Sequence, residues 1–72
     1  MQEIRADRRQ HIIASAIGVL AEYGIVEFTF NKVALHAGIS AALIVHYFTS
    51  KEALLEAAFR SVVRQLNNQA TA

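Results

Sequence analysis

The sequence predicts an all-α fold, and three observations carry that expectation. Hydrophobic residues make up 54% of the 72 positions, there is no proline, and only three glycines interrupt the chain. Such a composition suits a compact helical unit rather than a turn-rich β fold or a disordered segment. A domain of this length hides only about 60% of the surface its unfolded chain exposes, so its stability rests on close packing. Cysteine is absent, which removes disulfides and cysteine-rich zinc sites as a source of stability.

The first helix is expected over about residues 8–23. Ile12, Ile13, Ala16, Ile17, Leu20 and Ala21 recur at three- and four-residue intervals there, which is the spacing of one helical face. Gly24 follows and suits the left-handed position after a helix end. A short connection from Ile25 to Phe28 leads to Thr29, whose hydroxyl can cap a second helix over about 30–37 with Phe30, Val33, Ala34 and Ala37 on its apolar face. Gly38 ends that helix. Ser40 offers a second capping hydroxyl before a third helix over about 41–47. Thr49-Ser-Lys-Glu52 matches the capping-box pattern and opens a fourth helix from about residue 51, with Leu54, Leu55, Ala58, Phe59, Val62, Val63 and Leu66 extending its apolar positions to about Asn67. No internal repeat and no linker divides the chain, so one domain is expected.

Several function classes are disfavoured by the same reading. No run of about 18 apolar residues is present, and the charged N-terminus has no apolar stretch of signal-peptide type behind it, so a cytoplasmic protein without a membrane partner is expected. Ser15, Ser40, Ser50 and Ser61 have no evident partnering base, and neither a glycine-rich phosphate loop nor a paired-histidine metal motif occurs. We therefore expect no enzyme, no cofactor and no metal site, with His11 and His36 at the surface or between helices. The net charge of +1 decides little, but Arg5, Arg8 and Arg9 crowd the first nine residues. They could serve as a flexible arm reaching the minor groove or backbone of DNA.

Two short helices joined by about three residues with a glycine describe a helix-turn-helix, whose second helix enters the DNA major groove. Ala34 and Ala37 are small where the helices must approach, Gly38 can take the positive φ of a sharp turn, and Val33, Ile39 and Ile44 supply the inward wedge, with Phe30 and Phe48 closing its ends. An ordinary helical hairpin would satisfy the same spacing. The stretch Thr29-Phe-Asn-Lys-Val-Ala-Leu-His-Ala-Gly-Ile-Ser40, followed by His46-Tyr-Phe-Thr-Ser-Lys-Glu-Ala-Leu-Leu55, goes further: it resembles the N-terminal domain of the TetR/AcrR family from about Arg8 to Phe59.

That resemblance implies a three-helix, homeodomain-like DNA-binding bundle followed by the start of a fourth, linking helix. It implies a transcription regulator, by resemblance a repressor, that binds a palindromic operator in double-stranded DNA as a homodimer. A small-molecule effector would bind in a larger C-terminal domain outside these residues. Matched to the family pattern, Ala41, Ala42, Leu43 and His46 face base edges, whereas Thr29, Ser40, Tyr47 and Lys51 fall at phosphate-facing positions together with Val45. Two positions depart from the pattern: Ala42 stands where the family usually has glycine, and Val45 where it usually has a phosphate-binding tyrosine. Alanine and leucine can touch a thymine methyl group, so a half-site containing A·T pairs is expected, with His46 as the polar base reader. The rival expectation is a protein-interaction module that docks a partner through the apolar face of the fourth helix.

Overall fold

In the computed structural model the backbone is described over residues 2–71 and the side chains over residues 7–68. Four helices follow one another: α1 (Gln2–Tyr23), α2 (Phe30–Ala37), α3 (Ala41–Tyr47) and α4 (Lys51–Thr71). The all-α expectation is met, and no strand occurs among the described residues. None of these helices is long and apolar enough to cross a membrane.

The boundaries of α2 and α3 fall at the expected residues, because each end carries its own local signal. Those of α1 and α4 differ. Helix α1 begins at Gln2 rather than near residue 8. The apolar periodicity starts late, but Gln, Glu, Arg and Ala before it are good helix formers and nothing breaks the turn. Helix α4 is capped by Ser50, not Thr49: the Ser50 hydroxyl accepts a bond from the Ala53 N–H at 3.1 Å. With Lys51 as the first helical residue, Glu52 stands one place too early for the reciprocal bond of a capping box, which needs the third position. The helix also runs past Asn67 to Thr71.

The core joins all four helices. Ile12, Ile13, Ala16 and Val19 of α1 meet Val33 and Ala34 of α2, Ile44 of α3 and Leu54 and Ala58 of α4, with Phe28 and Phe48 supplied by the connections. Val19 takes the buried place on α1 that the sequence reading gave to Ala21, which is exposed. Phe28 belongs to a connecting segment yet is fully enclosed. Each such large apolar side chain contributes about 1.5–3 kcal/mol relative to exposure. No buried side-chain nitrogen or oxygen among the described residues lacks a hydrogen-bond partner.

Helix α1 packs on both α2 and α4, and α2 packs on α3. Two histidines serve the α1–α2 contact. The His11 ring Nε2–H donates to the Ala37 carbonyl at 2.8 Å, one of the carbonyls left open at the end of α2. The His36 ring lies against Gly18, where a Cβ would come within 2.9 Å of its Cε1 and Nε2 atoms.

Candidate nucleic-acid interface

Local bonds fix the relation of α2 to α3. Thr29 is extended (φ −136°, ψ 159°) and its Oγ1 accepts the Lys32 N–H at 3.1 Å, which starts α2. At the far end Gly38 adopts φ 75° and ψ 31°. Its N–H and that of Ile39 both donate to the Ala34 carbonyl, at 2.9 and 3.1 Å. Residues with a Cβ rarely adopt that φ, so the glycine is required by the turn. Ser40 returns to extended backbone, and its Oγ accepts the Leu43 N–H at 3.1 Å. The turn is thus Gly38-Ile39-Ser40, closed at both ends, and buried Val33 and Ile44 hold the crossing from inside.

Helix α3 then divides by face. Ile44 is enclosed, and the Phe48 that caps the helix is buried below it. Ala42, Val45 and His46 are exposed, and their spacing puts them on one side of the helix. The expected base-facing set therefore splits: Ala42 and His46 stand on the open face, whereas Ala41 and Leu43 are half-buried on its flanks. Ala41 packs against the core, and Leu43 borders a shallow, mostly apolar hollow with Ile39, His11 and Arg8. Val45, read as a backbone position, is half exposed and shares the open face. Its side chain has no donor to offer a phosphate.

The residues expected at phosphates come from the cap of α2, the two ends of α3 and the start of α4. Thr29, Ser40 and Lys51 are exposed, and Lys51 opens α4, where free N–H groups and the helix dipole favour an anion. Tyr47 is half-buried, its ring edge-on to that of His46 with centroids 5.5 Å apart. Lys32, by contrast, is committed elsewhere: its Nζ meets Glu27 Oε1 at 2.5 Å and lies 4.6 Å from the centre of the Tyr23 ring. The hydrogen bond from Lys32, and then its charge, hold the Glu27 carboxyl below its ordinary value.

Arg8 and Arg9 lie on regular turns of α1 rather than on a free arm, a consequence of the earlier helix start. The side chain of Arg5 lies outside the described residues. The Arg9 guanidinium sits over the Phe48 ring, 5.1 Å from its centre. That brings it beside Tyr47 and Thr49, along a groove that Arg60 also lines. Sequence reasoning missed this placement, because Arg9 and Phe48 are distant along the chain and only the tertiary packing joins them.

Comparison with known proteins agrees with this architecture. The family model described as bacterial regulatory proteins, tetR family, matches residues 12–58. The chain is 40% identical over 65 residues to the HTH-type transcriptional regulator BetI 2 of Chromohalobacter salexigens, an alignment covering 90% of this chain and 31% of that protein. It is 38% identical to BetI of Cronobacter sakazakii and 40% identical to BetI of Rhizobium meliloti, in each case over 90% of this chain and 32% of the relative. The chain thus spans about a third of the length of these curated relatives. No solved structure matches it.

Proposed function

The chain belongs to the tetR family of bacterial regulatory proteins, and on that premise we propose that it is the DNA-reading domain of a transcription regulator. The observation that carries the reading is the open face of α3, with Ala42, Val45 and His46 exposed together on a helix whose opposite side is locked into the core. A helix held in this way can enter a major groove without unfolding anything behind it. Ala42 and His46 then meet base edges, with Ala41 and Leu43 at the margins. The apolar members favour thymine methyl groups, and His46 supplies the polar contact. Thr29, Ser40, Tyr47 and Lys51 bind phosphates and set the register without reading sequence.

One such face covers one half-site. The regulator acts as a homodimer on a palindromic operator, with its two α3 helices in successive major grooves about 34–36 Å apart. A small-molecule effector, bound in a companion domain, changes that separation and releases the DNA, which makes the protein a repressor. Leu55, Phe59 and Val63 line an apolar strip along α4, a surface suited to packing against such a domain. Transmission through α4 would then link effector to operator.

Selection from a randomised duplex pool, with the enriched sequences measured at several salt concentrations, tests the reading. Enrichment of a palindrome with thymines opposite α3, bound with steep salt dependence, is the expected result. Salt-insensitive binding, or no enrichment, would instead favour a protein-docking role for the α4 strip.

A further inference from the structure

Three of the chain's seven basic side chains, Arg9, Arg60 and Arg64, converge on one small groove between α1 and α4, with Gln10 and Ser61 beside them. The groove encloses about 120 Å³ over a floor that includes Ala57. None of the described residues that line it is acidic; Glu56, one turn before Arg60 on α4, accepts a bond from it at 3.0 Å. Setting Glu56 against the three arginines leaves two positive charges among these four residues, whereas the whole chain carries +1. Guanidinium groups keep their charge at every physiological pH, so this concentration is permanent.

We infer that this groove is a binding site for a phosphate group. Guanidinium forks match phosphate oxygens in pairs, and such charge-assisted bonds are the stronger kind. Gln10 and Ser61 add neutral donors for the remaining oxygens. Arg9 is already placed by its stacking on Phe48, so ordering it costs little when the anion arrives. Arg60 and Arg64 project from successive turns of α4, four residues apart, and so present one face to the ligand. The site does not depend on α3 reading DNA. Its source of phosphate is either the DNA backbone, since Arg9 and Arg60 also line the groove leading to Tyr47 and Thr49, or a free phosphorylated small molecule.

The test is a titration of the chain with inorganic pyrophosphate at constant ionic strength, followed by NMR of the arginine Nε–H and backbone amide signals. Saturable shifts confined to Arg9, Gln10, Arg60, Ser61 and Arg64 are expected, weakened roughly tenfold in Arg64→Gln and again in Arg60→Gln. Because both arginines are exposed, the variants should keep the wild-type circular dichroism, which separates loss of binding from loss of fold. Shifts that do not saturate, or that sodium chloride reproduces, would overturn the site. So would unchanged affinity in both variants. A duplex titration then assigns the source: a salt slope lower by about one charge in Arg64→Gln identifies the DNA backbone, and an unchanged slope identifies a free phosphorylated molecule. Failure of the duplex to bind at all, with pyrophosphate still held, would count against the DNA reading alone.

Discussion

Gly18 of α1 and His36 of α2 are matched across their helix contact: a Cβ at residue 18 would lie 2.9 Å from both Cε1 and Nε2 of the imidazole. Alanine in place of a mid-helix glycine is ordinarily worth about 1 kcal/mol of helix stability. At this position the gain is offset, because the new methyl displaces a ring that packs there. His36 is exposed enough for its ring to swing aside, so the displacement is tolerated. Gly18→Ala alone should therefore move stability by less than about 0.5 kcal/mol, whereas in a His36→Ala background it should stabilise by about 1 kcal/mol. Urea unfolding of the four proteins of this cycle measures the difference, and equal effects in both backgrounds would deny the contact.

The capping of α4 gives a second prediction. Ser50 bonds the Ala53 N–H, and Thr49 makes no such bond. Ser50→Ala should cost about 1 kcal/mol, while Thr49→Ala should change stability far less. Thermal unfolding of the pair distinguishes them, and the reverse order would restore the cap to Thr49.

Glu27 and Lys32 supply a prediction in pH. Lys32 lowers the folded-state pKa of Glu27. The contribution of such a carboxylate to stability is present above the unfolded value and is lost as pH falls through the folded one. The pair is at the surface, so the contribution is small and weakens with salt. A carboxyl ¹³C titration should place Glu27 below an ordinary glutamate, and Lys32→Gln should return it to the ordinary range. An unmoved midpoint in the variant would mean that Lys32 is not the cause.

Much of this arrangement was legible in the chain because its signals are local. Thr29, Gly38 and Ser40 each mark a helix end through bonds to residues within four positions, so the helix-turn-helix could be read without knowing the tertiary fold. At α4 the local signal is ambiguous: Thr49 and Ser50 are both good cap formers, and only the start of the helix at Lys51 chooses Ser50. Phe28 gives no periodic signal from its short connection, and its burial comes from the tertiary cluster it joins. Val19 did carry a signal, lying three and seven residues after Ala16 and Ile12. The candidate site divides in the same way. Ala42 and His46 follow from helix periodicity, but the half-burial of Ala41 and Leu43 and the seat of Arg9 on Phe48 depend on neighbours that are remote in sequence.

The division of labour around α3 makes the last prediction. Lys51 is exposed at the start of α4, where it would meet a phosphate shared by every sequence, whereas His46 is exposed on the open face of α3, where it would meet base edges. Lys51→Ala should weaken binding to all duplexes alike and reduce the salt slope by about one charge per half-site. His46→Ala should cost about 1–3 kcal/mol on the selected operator and little on unrelated DNA, with the salt slope unchanged, because a base contact releases no counterion. Fluorescence anisotropy on operator and scrambled duplexes at several salt concentrations reads both effects. If His46→Ala lowered affinity equally on both duplexes, the histidine would be a backbone contact, and the reading of sequence would pass to the apolar contacts of Ala42 and its neighbours.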